Sequence, residues 1–196
     1  MTPFRLGLTG SIGMGKSTTA AFFRDEGIAV WDADAAVHRL YGPGGAAVAA
    51  VASLCPAALR TGAIDRGVLR DWVARTPDAL GQLESVVHPL VAADRARFAA
   101  ETQGDILVFD IPLLFEKASE IEMDATLLVT APPDLQRARV MSRDGMTLQQ
   151  FALILSRQMP DTEKRARATH IVETLSLAQT RIYVQALISH IRARHA

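Results

Sequence analysis

The stretch GLTGSIGMGKSTTAAF (Gly7–Phe22) decides how the rest of this chain is read. A short apolar run, FRLGLTG (Phe4–Gly10), meets a glycine-rich turn, then a lysine and a row of hydroxyls. Gly10-Ser11-Ile12-Gly13-Met14-Gly15-Lys16-Ser17 fits G-x-x-x-x-G-K-[ST], with a buried strand expected before it and a helix, Ser17–Glu26, after it. The physics of such a loop is specific. Glycines admit backbone angles that aim successive N–H groups at phosphate oxygens, and the following helix presents its positive end to the same anion. Gly10, Gly13, Met14, Gly15, Lys16, Ser17 and Thr18 are therefore the expected nucleotide contacts, with Lys16 reaching the β- and γ-phosphates and the Ser17 hydroxyl offered to Mg²⁺. The motif supplies a donor site. It does not say where the terminal phosphate goes.

Composition narrows the classes. At 196 residues the chain suits one compact domain carrying a subdomain or lid. Hydrophobic residues make up 49%, yet no apolar run reaches the ~20 residues of a membrane span, and the first one is too short for a secretory signal. A cytoplasmic protein that does not engage membranes is expected. Lys plus Arg equals Asp plus Glu, for a formal net charge of zero, which argues against broad nucleic-acid binding. The single cysteine, Cys55 in ASLCPAAL, excludes an intramolecular disulfide and reads as buried filler. The five histidines show no metal-ligand spacing. A monomer or weak homo-oligomer is expected. Asparagine is missing altogether.

Along the chain, IAVWDAD (Ile28–Asp34) reads as a second strand with two acids at its end. From about Ala35 to Thr102, small and apolar residues recur at helical spacing, broken by GPGG (Gly42–Gly45), RTGAID (Arg60–Asp65) and His88-Pro89; this reads as a helical insertion. DILVFDIPLLF (Asp105–Phe115) and ATLLVTAPP (Ala125–Pro133) read as buried parallel strands. An Arg-rich helix over Asp134–Arg143 and a helical piece over Leu148–Met159 follow. THIVET (Thr169–Thr174) reads as an edge strand before a last amphipathic helix. Strands alternating with helices imply an α/β fold, a doubly wound parallel sheet.

A GTPase switch needs an N-K-x-D segment, which a chain without asparagine lacks. A small-molecule kinase needs a base for the acceptor hydroxyl and positive charge that closes over the phosphoryl group. Asp32 and Asp34, two apart at a strand end, share a face and suit the first need, although the alternative is capping of the next helix. Arg137, Arg139 and Arg143 suit the second, or form a solvated surface; Arg139 and Arg143, four apart, share a helix face. Asp110, ending ILVFD, reads as an acid near the magnesium water shell or as a strand-end cap.

Taken in order, these stretches resemble the dephospho-coenzyme A kinase family nearly end to end. GLTGSIGMGKST is similar to its phosphate loop, VWDADAAVHRL to its D-A-D-x-x-x-H segment, and AIDRGVLRDWV to its D-R-x-x-L stretch. LESVVHPLV resembles its H-P stretch, DIPLLFE its P-L-L-F/V-E stretch, LQRARVMSRDGMT the start of its lid and LILSRQM the end of that lid. The resemblance implies a P-loop NTPase fold, an adenylate-kinase-like five-stranded parallel sheet. Its nucleotide-binding core would take residues 1–34, 103–136 and 168–196, a helical acceptor (CoA) subdomain 35–102 and a lid 137–167. It implies ATP with Mg²⁺ as the donor and the ribose 3′-hydroxyl of dephospho-CoA as the acceptor. Asp34 becomes the candidate base, Lys16 a catalytic contact, and Arg143 or Arg139 the lid arginine. Asp32, His38, His88, Leu113 and Glu116 match positions near the acceptor; His88 otherwise reads as a satisfied core histidine. Kinases of other small hydroxyl metabolites, of nucleoside-monophosphate or shikimate type, and a non-catalytic nucleotide-binding module are the alternatives. The chain departs from the family at ATHIVETLS (Ala168–Ser176), where Thr169 stands for an acid, Thr174 for an asparagine and Ser176 for a glycine.

Overall fold

The computed structural model describes residues 2–195. β1 (Phe4–Thr9) runs into the glycine turn, and α1 (Lys16–Asp25) starts one residue before the expected helix. Gly27, at φ +77, ends that helix in a left-handed conformation. β2 (Ala29–Asp32) is shorter than IAVWDAD suggested, because the Asp32 carboxylate accepts the Ala35 N–H at 2.9 Å and caps α2 (Ala33–Tyr41). Asp34 thus lies in the first turn of a helix and not at a strand end.

The insertion is helical apart from one hairpin. α3 (Val48–Leu54) is followed by the two-residue strands β3 (Leu59–Arg60) and β4 (Ala63–Ile64), which pair antiparallel. Thr61 and Gly62 both have positive φ (45° and 79°), the backbone of a tight hairpin turn. RTGAID, read as a break between helices, is that hairpin. Asp65 then caps α4 (Arg66–Arg75), accepting from Gly67 and Val68. α5 (Ala79–Glu101) runs straight through His88-Pro89, which does not break it. Proline there removes one helical hydrogen bond. Packing of Val86, Val87, Leu90 and Val91 in the local core outweighs that loss.

β5 (Ile106–Asp110), β6 (Ala125–Thr130), α6 (Pro133–Met141), α7 (Leu148–Ser156), α8 (Asp161–Arg167), β7 (His170–Glu173) and α9 (Leu177–His195) complete the chain. The strand in DILVFDIPLLF stops at Asp110, and α8 is a helix that periodicity did not single out. The five-stranded parallel sheet has the order β2-β5-β1-β6-β7 with helices flanking it. Because β1 has β5 on one side and β6 on the other, the chain reverses direction of progress beside β1, and the carboxyl ends of β1 and β5 frame the crevice where open α/β sheets bind ligands.

Two units fold around separate cores. The first takes the described residues up to Trp31 with those from Gln103 onward, and the second is Asp32–Thr102. In the first, Leu6 and Leu8 of β1, Val108 of β5 and Leu127 and Val129 of β6 pack with Phe23 of α1 and with Val184, Leu187 and Ile188 of α9. In the second, Leu40, Tyr41, Val51, Cys55, Ile64, Leu69 and Val87 form the core. Cys55 is buried there, as its apolar surroundings suggested. Among the described residues, no helix is long and apolar enough to cross a membrane.

Candidate active site

The phosphate loop spans Gly10 to Gly15, between the end of β1 and the start of α1. Gly13 (φ +78) and Gly15 (φ +93) adopt the left-handed backbone that the motif reserves for glycine. Packing demands glycine as well: a Cβ on Gly13 would lie 2.5 Å from Val140 Cγ2, and one on Gly10 would lie 2.6 Å from the Val129 carbonyl oxygen. The loop is thus pressed against β6 and α6.

Side chains outside the motif hold this loop. The Ile12 carbonyl accepts from Gln136 Nε2 at 2.8 Å, and the Ile12 N–H donates to Gln158 Oε1 at 3.1 Å. Met14 is buried; its carbonyl accepts from Thr174 Oγ1 at 2.8 Å, and its sulfur accepts from the Ala131 N–H at 3.0 Å. Gln136 carried no sequence signal. Gln158 sits in the SRQM stretch and Thr174 at the departure in ATHIVETLS, so each was marked by position without its role being visible.

Lys16 opens α1, and its ammonium is paired with the Asp110 carboxylate. The register explains the meeting: Asp110 lies opposite Leu8 across the β1–β5 pair, one residue before β1 ends, so β5 delivers its acid beside the loop. Asp110 is buried. Ser17 and Thr18 in the first turn of α1 are exposed, whereas Thr19 Oγ1 donates back to the Gly15 carbonyl at 3.1 Å.

The arginines separate. Arg139 lies on α6 and donates through Nη1 to Thr174 Oγ1 at 2.8 Å and through Nη2 to the Thr174 carbonyl. Arg143 is not on that helix, which ends at Met141 with Ser142 as its cap; the Arg143 N–H bonds back to the Val140 carbonyl at 3.1 Å and the residue is exposed. The expected shared face of Arg139 and Arg143 is therefore absent. Arg137 is exposed on α6.

Beyond β5, Leu113 is half-buried, and Glu116 Oε1 accepts the Met159 N–H at 2.8 Å and lies 2.9 Å from Lys164 Nζ. Lys164 is fully buried, so an ion pair ties the P-L-L-F-E stretch to α8.

In the second unit, Asp34 and His38 occupy positions four apart on α2 and are both exposed, so they share one solvent-facing side of that helix. Arg39 of α2 bonds Asp94 of α5 at 2.7 Å, and Arg97 holds the other oxygen of that buried carboxylate at 2.8 Å. His88, on α5, is 58% exposed and lies 3.8 Å from Glu84, which rules out a core histidine. Among the described residues, no group of three His, Cys, Asp or Glu side chains is arranged to cage a metal.

The sequence matches the dephospho-CoA kinase family, CoaE, over residues 4–179. The chain belongs to that family. A dephospho-CoA kinase of Cereibacter sphaeroides is 71% identical over 98% of both chains. The crystal structure of TT1252 from Thermus thermophilus superposes with a TM-score of 0.87 at 34% identity, covering 97% of this chain and 98% of that one. A dephospho-CoA kinase from Campylobacter jejuni, at 22% identity and a TM-score of 0.67 over 97% and 98% of the chains, shares the fold. Membership of the dephospho-CoA kinase family accords with the phosphate loop and with the five-stranded parallel sheet.

Proposed function

We propose that this protein transfers the γ-phosphoryl group of ATP to the ribose 3′-hydroxyl of dephospho-CoA, yielding coenzyme A and ADP, the last step of coenzyme A synthesis. The observation that carries this reading is a glycine loop with Lys16 and Asp110 at the carboxyl ends of β1 and β5, in a member of this family. The acceptor oxygen forms a bond to the γ-phosphorus as the bond from phosphorus to the β–γ bridging oxygen breaks, and that oxygen leaves on ADP. The hydroxyl proton goes to the Asp34 carboxylate, which an exposed position in the first turn of α2 leaves accessible.

Lys16 supports the donor side. An ammonium has three donors, so a bond to Asp110 leaves two for β- and γ-phosphate oxygens. Arg143, whose exposed position leaves it available, neutralises charge developing on the transferred group; the fork of Arg139 is already directed at Thr174. His38, His88, Leu113, Glu116 and Asp32 remain the acceptor-side residues by family resemblance.

Mg²⁺ suits the donor set. The exposed Ser17 hydroxyl and the Asp110 carboxylate near Lys16 would be the oxygen donors for an ion that keeps most of its waters and binds mainly through substrate phosphates. Such an ion would offset negative charge between the β- and γ-phosphates. A formal net charge of zero supports a small-molecule substrate over a nucleic acid.

The test is acceptor-dependent ADP release measured with dephospho-CoA, a nucleoside monophosphate and shikimate in parallel. Turnover with dephospho-CoA far above the others is expected. Turnover with another acceptor alone, or ATP binding with no acceptor-dependent ADP, would overturn the reading.

A further inference from the structure

Arg139 and Thr174 belong to a part of the fold that the motif does not describe, and their geometry bears on the nucleotide. Thr174 follows β7 and is buried. Three of its atoms are fixed by protein. Its N–H donates to the Thr130 carbonyl at 2.9 Å at the end of β6, its carbonyl accepts from Arg139 Nη2, and its hydroxyl accepts from Arg139 Nη1 at 2.8 Å. With both Arg139 bonds in place, the single hydroxyl proton is left for the Met14 carbonyl at 2.8 Å, closer than the alternative at Thr130, 3.3 Å away.

A trans peptide is planar, with its carbonyl and N–H on opposite edges. Holding the Met14 carbonyl therefore also sets the direction of the Gly15 N–H, which points the opposite way. Gln136 does the same for the preceding unit, since its bond to the Ile12 carbonyl orients the Gly13 N–H. Thr174 presses on the loop as well: a Cβ on Gly15 would meet its Oγ1, Cγ2 and Cβ at 3.1, 3.2 and 3.3 Å.

We propose that Thr174 and Arg139 form a strut that positions the Met14–Gly15 peptide for binding the phosphates of a nucleoside triphosphate, Arg139 acting through Thr174. Both are positioning residues; neither touches the reacting atoms. The strut rests on the reading of Gly10–Ser17 as the ATP site. A hydroxyl suits this place, because it can donate to a carbonyl and accept from a guanidinium at the same time.

Thr174→Val keeps the shape and removes the hydroxyl, so the KM for ATP should rise about 5–30-fold, as expected for one lost hydrogen bond of this kind, while the KM for dephospho-CoA stays within about twofold. Thr174→Ser should restore the ATP value to within about twofold of wild type. Arg139→Gln should resemble Thr174→Val, and the double variant should add less than about a further twofold, as two members of one unit do. Thermal unfolding without nucleotide separates a binding effect from general loss of folding. If Thr174→Val does not fold, Thr174→Ser and Arg139→Gln carry the test through the same KM split. An unchanged KM for ATP in Thr174→Val, or multiplying effects in the double variant, overturns the strut. Calorimetric titration of ATP onto each variant keeps the two proposals apart: wild type that binds ATP yet fails to phosphorylate dephospho-CoA sinks the acceptor assignment, and the strut is then judged from the ATP affinities alone.

Discussion

Asp34 concentrates what side-chain identity does in this protein. It stands in the first turn of α2, where a carboxylate gains about 0.3–1 kcal/mol from the helix dipole. Asp34→Asn should therefore cost less than about 1 kcal/mol of stability. If Asp34 is the general base proposed above, its loss should lower kcat by ~10²–10⁴ with ATP affinity retained. Steady-state kinetics beside thermal unfolding will show which magnitude dominates; near-wild-type kcat removes Asp34 from the role. The D-A-D spacing was legible, but its local structure was not. Two acids after an apolar run fit a strand end and a helix start equally well, and the choice falls to one hydrogen bond, from the Ala35 N–H to Asp32. Thr174 was visible only as a departure. Its partners, Met14 and Arg139, are 160 and 35 residues away, and no spacing rule reaches that far.

Elements carry the contrast between glycines that are needed and those that are merely present. Gly13 combines a left-handed backbone with a would-be Cβ 2.5 Å from Val140. Gly13→Ala should destabilise by about 2–4 kcal/mol, summing backbone strain and overpacking against α6. Gly81, exposed on α5, meets nothing within 4 Å. Gly81→Ala should stabilise by about 0.5–1 kcal/mol, because alanine loses less entropy on entering a helix. Denaturant unfolding of both variants checks the pair; equal effects would mean that packing of the phosphate loop against α6 does not matter. Helix and strand types were largely readable from periodicity, whereas boundaries were not. Pro89 was read as a break because proline rules are local, and α5 continues because its apolar residues pack in the core of the second unit. The pairing of Glu116 with the buried Lys164 was also out of reach, since a lysine in DTEKRAR reads as solvated until α8 is placed.

Two cores in one chain imply two levels of protection. The first unit buries a large cluster spanning the sheet, α1 and α9, while the second relies on a smaller one built by α2 to α5. Native-state hydrogen exchange should show amides of α5 and α2 opening together at a lower free energy than those of β5 and β6, as separate cooperative units do. A single protection level throughout would contradict this. The architecture itself was the most legible feature, because a phosphate loop between strand and helix followed by two apolar strand-length runs leaves few alternatives to a doubly wound sheet. Which segment forms the smaller core was readable only as a change of composition after Ala35.

Cys55 gives that smaller core a chemical meaning. The proposed substrate and product both end in a thiol, so this protein would work in continual contact with sulfhydryls and, under oxidation, with their disulfides. Its sole cysteine lies inside the second unit, packed with Val51 and Ile64. Thiol–disulfide exchange requires access to the sulfur. Burial thus keeps the Cys55 sulfur out of reach of such exchange while that unit stays folded.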